Sequence, residues 1–130
     1  TAASCQSFLK KASLLVTTLI VDIGSETQTK LSAAAFEQAD VVIVCVDGSV
    51  KASSWKVRLH RPEKYITVLN DLGKNSAFDA EILLPYSADL AQQNEEQAAF
   101  RLCRDKKYRS ALRKLYEATD VKKKKLTLIR

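Results

Sequence analysis

The chain has 130 residues and a formal net charge of +6, a length at which one domain can bury a core without disulfides or metal ions. Its three widely spaced cysteines contain no C-x-x-C pair, which argues against a disulfide framework and a zinc site and favours a reducing compartment. No apolar run approaches the roughly 20 residues of a membrane-spanning helix. We therefore expect a single soluble, cytoplasmic domain over residues 1–130, either whole or part of a longer chain.

The predicted elements alternate between strands and helices. The β-branched run LLVTTLIVDI predicts a strand over residues 14–22, and TKLSAAAFEQA shows helical spacing over residues 29–39. The near-continuous apolar run VVIVCV predicts a strand over residues 41–46 that is covered on both faces. In EKYITVLNDLG, residues 63–73, the spacing predicts a helix with one apolar face, made by Tyr65, Val68, Leu69 and Leu72.

The last part of the chain predicts a strand over residues 81–85, stopped by Pro85, and then the longest helix, over residues 94–118. The apolar stripe of this helix is predicted to be Phe100, Cys103, Tyr108, Leu112, Leu115 and Tyr116. The closing residues KKKKLTLIR have an alternating apolar end that favours a last strand. This alternation predicts an α/β fold, a mainly parallel sheet with helices on both faces.

The stretch IVDIGSETQ, residues 20–28, admits two interpretations. An acid at the carboxyl end of a buried strand, followed by glycine, is where open α/β sheets place phosphate and metal chemistry. However, Ser25 and Gln28 have the S-x-x-Q spacing of a capping box, Asp22 complements a helix dipole, and Gly24 suits a turn. We favour the capping interpretation.

The segment LIVDIGSETQTKLSAAAFEQADVVIVCVDGS, residues 19–49, resembles the central part of Ras- and Arf-type small GTPases. In that family a strand ends in the D-x-x-G motif, and an Ala-Asp pair introduces the next strand. ILLPYSADL, residues 82–90, lies where the family has its base-reading N-K-x-D motif. The resemblance, over about residues 14–90, implies a Rossmann-like, three-layer G domain, with vestigial nucleotide positions at Asp22, Gly24, Ser25 and Asp89.

The chain departs from that family at the residues that handle nucleotide. The phosphate loop and its Lys are absent from the sequence, residues 22–25 read Asp-Ile-Gly-Ser, and residues 86–89 read Tyr-Ser-Ala-Asp. Without the loop and its Lys, the β- and γ-phosphate charges have no partner, so we expect GTP and Mg²⁺ to bind at about millimolar affinity or weaker. The resemblance therefore implies a degenerate G domain with no catalytic residues and no cofactor.

Other catalytic chemistries lack their residues. His60 lies in RLHRP, among basic residues and without an acidic partner, so it favours a surface position rather than a metal site or a catalytic triad. Cys45 lies within an apolar run, where cysteine behaves as a small hydrophobic residue.

Positive charge is concentrated at the C-terminus. Residues 1–100 contain nine Lys and Arg against twelve Asp and Glu, whereas residues 101–130 contain twelve against three. Basic clusters attract nucleic acid, anionic membranes or acidic protein surfaces, although no exposed aromatic residue is predicted among these cations. The predicted contacts to an anionic partner are Arg101, Arg104, Lys107, Arg109, Lys114, Lys122, Lys123, Lys124 and Lys125.

Three functional hypotheses follow from the sequence. The first is a non-catalytic, pseudoGTPase-like α/β module that mediates protein–protein interaction or regulation. The second is a module that binds nucleic acid or another anionic ligand through its basic C-terminal helix. The third is a fragment of an active GTPase whose phosphate loop lies upstream of Thr1.

Overall fold

The computed structural model describes residues 1–24, 28–46, 62–70, 80–96 and 102–129. Its elements are, in chain order, α1 (Ala2–Ser13), α2 (Lys30–Gln38), β1 (Val42–Val46), a short 3-10 helix (Pro62–Lys64), β2 (Tyr65–Asn70), β3 (Ile82–Leu84), α3 (Ala88–Glu95) and α4 (Lys106–Ile129). The chain divides into two compact units, Thr1–Asp40 and Val41–Arg130.

The first unit is a pair of packed helices. Its buried apolar residues are Leu9 of α1 and Ala34 of α2. Two glutamines join the helices, because Gln6 Nε2 donates to Glu37 Oε2 at 2.7 Å and Gln38 Nε2 donates to the Gln6 carbonyl at 3.1 Å. The helix predicted over residues 29–39 is thereby confirmed as α2.

The strand predicted over residues 14–22 is wrong. Leu14 caps the end of α1, and residues 15–23 belong to neither a helix nor a strand. β-branched composition favours a strand only where a neighbouring strand supplies backbone hydrogen bonds and packing, and the ladders of the described sheet do not include this segment. Its large apolar side chains are exposed, namely Leu14, Leu15, Val16, Leu19, Ile20 and Val21.

The second unit contains a three-stranded parallel sheet in the order β1-β2-β3. The strands predicted over residues 41–46 and 81–85 are confirmed as β1 and β3, and the mainly parallel sheet is confirmed with them. The prediction that β1 is covered on both faces is wrong, because Ile43 and Cys45 are exposed. Val42 to Val46 pair with Tyr65 to Leu69, while Val68 to Asn70 pair with Ile82 to Leu84. β2 is the central strand, and Ile66, Thr67, Val68 and Leu69 are all buried.

The helix predicted over residues 63–73 is wrong at Tyr65–Asn70, which forms β2. A central strand is buried on both faces and reads as a continuous apolar run rather than as an alternating one. YITVLN is mostly apolar, and three of its residues, Tyr65, Val68 and Leu69, also fit a helical spacing by coincidence. The β-branched and aromatic residues at positions 65–68 were the better indicator.

α4 covers one face of the sheet. Ile66, Val68 and Leu84 form a core with buried Ala111, around which Val41, Ile82, Tyr108, Leu115 and Ala118 pack. On the opposite face, Val46 and Leu69 form a smaller cluster with Val44 and Ala80. The α4 residues in the core follow one another at intervals of three and four, which places them along one side of the helix.

The single helix predicted over residues 94–118 is replaced by two helices. α3 ends at Glu95 and α4 begins at Lys106, with residues 102–105 in neither. The predicted stripe is also wrong at two positions, since Leu112 is 41% exposed and Tyr116 is 74% exposed. The last strand predicted from KKKKLTLIR is wrong as well, because α4 continues to Ile129. The predictions for His60 and Phe100 lie outside the described residues.

A matched pair of isoleucines tests this packing. Ile43 and Ile66 are register partners on the same sheet face, but Ile66 is fully buried and Ile43 is 45% exposed. We expect Ile66→Ala to lower the free energy of unfolding by about 2 to 5 kcal/mol, because it opens a cavity under α4. Ile43→Ala should cost less than half as much in the same denaturant titration. If the two variants lost the same free energy of unfolding, α4 would not cover β2 more completely than β1.

Candidate functional site

Asp22 and Gly24 form a local turn. Asp22 Oδ1 accepts a hydrogen bond from the Gly24 amide at 2.9 Å, and Gly24 has a φ of +56°, in the left-handed region. A Cβ atom at position 24 would meet nothing within 4 Å. Glycine is therefore favoured here by its backbone conformation and not by a lack of space.

The predicted capping box is wrong for α2. The N-cap of α2 is Thr29, whose Oγ1 accepts from the Ser32 amide at 3.0 Å, so Gln28 precedes the cap. Ser25 lies outside the described residues. The signal that sequence reasoning missed was Thr29 itself, a preferred capping residue directly before the helical spacing begins.

Asp89 connects α3 to the segment that leads into α4. Its Oδ2 accepts from the Arg104 amide at 2.7 Å and from Gln93 Nε2 at 3.3 Å. Ser87, the N-cap of α3, accepts from the Leu90 amide, and its Oγ lies 3.5 Å from the Sγ of buried Cys103. We call Ser87, Asp89, Cys103 and Arg104 the α3–α4 junction.

The start of α4 is fixed by Asp105. Its Oδ1 accepts from the Lys107 amide at 2.8 Å and from the Tyr108 amide at 3.2 Å, which is the bonding of an N-cap residue. Tyr108 then enters the core, where burial raises the pKa of its phenol and the nearby Cys103 and Cys45 raise it further. The junction and the cap together define where α4 begins.

The residues that the sequence resemblance predicts to be vestigial nucleotide positions are distributed over both units. Asp22 and Gly24 lie in the first unit and Asp89 lies in the second. Each of the two carboxylates accepts hydrogen bonds from amides of the chain itself. In this structure both carboxylates therefore act as hydrogen-bond acceptors for backbone N–H groups.

The basic residues of α4 separate into two groups. Arg104, which precedes the helix, and the cations of its first half have exposed side chains, namely Lys106, Lys107, Arg109, Arg113 and Lys114. Lys122, in contrast, is half-buried, because its Nζ donates to the Tyr65 carbonyl and lies 3.4 Å from Glu81 Oε1. Lys122 therefore contributes to packing against the sheet.

Three further predicted cations, Lys123, Lys124 and Lys125, lie in α4 rather than in a strand. Arg101 lies outside the described residues. Among the side chains that the structure describes there, the exposed cations are Arg104 and those in the first half of α4.

Sequence reasoning missed an exposed aromatic residue among these cations. Tyr116 is 74% exposed, and helical spacing places it beside Arg109, Leu112 and Arg113. The interval from Tyr108 through Ala111 to Leu115 and Ala118 identifies the buried side of α4 and leaves Tyr116 outside it. That interval was present in the sequence, but the small residues Ala111 and Ala118 gave a weaker signal than Leu112 and Tyr116.

Comparison with known proteins finds no matching family model, no similar curated protein and no similar solved structure. Within the described ranges, no group of three or more His, Cys, Asp and Glu side chains is placed to hold a metal ion. None of the helices in those ranges is long and apolar enough to cross a membrane.

The role of Asp89 can be tested by truncation. Because its carboxylate accepts from the Arg104 amide, we expect Asp89→Ala to lower the free energy of unfolding by about 1 to 3 kcal/mol. Glu95→Ala, which removes an exposed acid from the same helix, should change it by less than about 0.5 kcal/mol. Urea titrations of the two variants provide the comparison. If Asp89→Ala is as stable as the wild type, the junction does not depend on this carboxylate.

Proposed function

We propose that the protein is a non-catalytic, pseudoGTPase-like α/β module that binds a protein partner in the cytoplasm. The module carries out no nucleotide chemistry, and it has a surface that binds another protein. The observation that carries it is the exposed apolar segment of residues 14–21, which we call the apolar segment.

The apolar segment has the character of a binding surface. Six of its eight residues are large and apolar, it contains no charged residue, and Leu15 and Ile20 are 84% and 88% exposed. Soluble proteins rarely leave large contiguous apolar patches in water unless they bind something there. Residues 15–21 also belong to no helix or strand, so their backbone is suited to pairing with a sheet edge of a partner.

The pseudoGTPase-like part of the proposal rests on the sequence resemblance, with the parallel sheet as support. A G domain has helices on both faces of such a sheet, and we propose this three-layer arrangement for the chain. The departures at residues 22–25 and 86–89, together with the lack of a phosphate loop in the sequence, favour a module without nucleotide. The bonding of Asp89 to the Arg104 amide supports the same view, because that carboxylate serves the fold.

A second candidate function is the binding of an anionic ligand through the basic end of α4. Its support is the group of exposed cations at Arg104 and in the first half of the helix. Many charged helix faces are only solvated, but a concentration of one sign of charge raises the local concentration of an oppositely charged partner.

The apolar segment provides the test of protein binding. We expect the double variant Leu15→Lys/Ile20→Lys to keep its unfolding free energy within about 1 kcal/mol, because both side chains are exposed, and to lose its partner. The matched control is Val121→Lys, which places a lysine at a residue of α4 that is 52% exposed.

Two measurements read out this loss. Quantitative mass spectrometry of proteins retained on immobilised chain identifies those that depend on the apolar segment, and sedimentation equilibrium detects a second copy as the partner. Binding that survives in the double variant, or that is lost equally in the Val121→Lys control, would contradict the proposal.

A further inference from the structure

The exposed side of α4 combines an aromatic ring with arginines. Tyr116, Leu112, Arg109 and Arg113 are all exposed, and their spacing of three, four and seven residues makes them neighbours on the helix surface. We call these four residues the aromatic–arginine patch. At 74% exposure the Tyr116 ring is accessible to a planar ligand, and arginine guanidinium groups also stack on planar rings.

Lys106 is exposed and extends the patch toward the start of the helix, and from Lys106 to Tyr116 the helix rises by about 15 Å. Lys107 and Lys114 are also exposed, but helical spacing places them on the other flank of α4. The next exposed residues after Tyr116 include Glu117 and Asp120, which end the run of positive charge. An anionic chain is therefore attracted along the first half of α4, with the ring of Tyr116 at the end of its path.

From this arrangement we infer that α4 binds single-stranded nucleic acid, with an unpaired base stacked on Tyr116 and phosphates contacting the surrounding Arg and Lys side chains. This inference deepens the second candidate function and rests on it. Proteins that bind single strands combine a positive surface along the backbone with aromatic rings on which bases stack, and the aromatic–arginine patch provides both. In a duplex the bases are already stacked on one another, so an exposed ring gains nothing comparable.

Two other classes of anionic partner fit these residues less well. A helix that lies in a membrane surface buries a broad apolar face, but the apolar side of α4, including Ala111 and Leu115, is already packed in the core. An acidic protein surface would use the cations and leave the exposed ring of Tyr116 without a role. The geometry therefore favours a ligand that carries both phosphates and planar bases.

The experiment measures fluorescence anisotropy of labelled 12-nucleotide oligo(dT) and oligo(U) with the complete 130-residue chain. We expect Tyr116→Ala to weaken binding roughly 5- to 150-fold, the usual loss of one stacked base, and Tyr116→Phe to retain it. The matched control is Tyr86→Ala, which removes a tyrosine that is 54% exposed and lies outside α4. Its affinity should equal that of the wild type.

The charge contribution has a separate signature. Replacing Arg109 and Arg113 with Gln should reduce the slope of log affinity against log salt by about 1.4, because each phosphate contact to a single strand contributes about 0.7. The Tyr116→Ala variant should keep the wild-type slope while losing affinity, since stacking releases no counterions. Circular dichroism confirms that each variant retains its helices.

The outcomes distinguish this inference from the function on which it rests. If heparin or phosphatidylserine vesicles bind at 50 mM salt and the oligonucleotides do not, anionic binding stands and the single-strand inference is overturned. If none of them binds, both fail. Oligonucleotide binding that is unchanged in Tyr116→Ala would also overturn the inference.

Discussion

The packing of α4 across β2 is the interaction on which the second unit depends. Ile66 and Val68 belong to a central parallel strand, and parallel sheets are stable only when their faces are covered. Ala111 and Leu115 of α4 provide this cover on one face, and each large side chain removed from water there contributes about 1.5 to 3 kcal/mol. A three-stranded sheet of this size would otherwise expose its core, so the start and the rotation of α4 are critical.

The α3–α4 junction and the cap at Asp105 set the start of the helix, and its apolar side sets the rotation. Asp89 accepts a hydrogen bond from the Arg104 amide, and Asp105 caps the first turn of α4 three residues before Tyr108, which packs against the core. The carboxylate that the G-domain resemblance would assign to base reading thus bonds the segment that leads into the helix. Because Tyr108, Ala111 and Leu115 face the sheet, the other sides of α4 expose its cations and Tyr116 to solvent. The same orientation of α4 therefore stabilises the sheet and creates the surface proposed for an anionic ligand.

The sequence predicted those elements whose signals are local. α2 was predictable from the helical spacing of its residues, and β1 and β3 from their short apolar runs. β2 was mistaken for a helix because a strand buried on both faces shows no alternation, and residues 14–22 were mistaken for a strand because β-branched composition does not reveal whether a partner strand exists. At the candidate site, the resemblance to the N-K-x-D motif singled out Asp89. Its bond to an amide fifteen residues later depends on tertiary structure and could not be read from spacing.

We propose that the acids at the G-domain-like positions serve the fold and that the module works without nucleotide. The decisive measurement is isothermal titration calorimetry of the 130-residue chain with GTP and GDP, with and without Mg²⁺. We expect no saturable binding tighter than about 1 mM, because the sequence contains no phosphate loop for the β- and γ-phosphates. Magnesium-dependent binding at micromolar affinity that is lost in Asp22→Ala would contradict it and would favour the remaining hypothesis, part of an active GTPase.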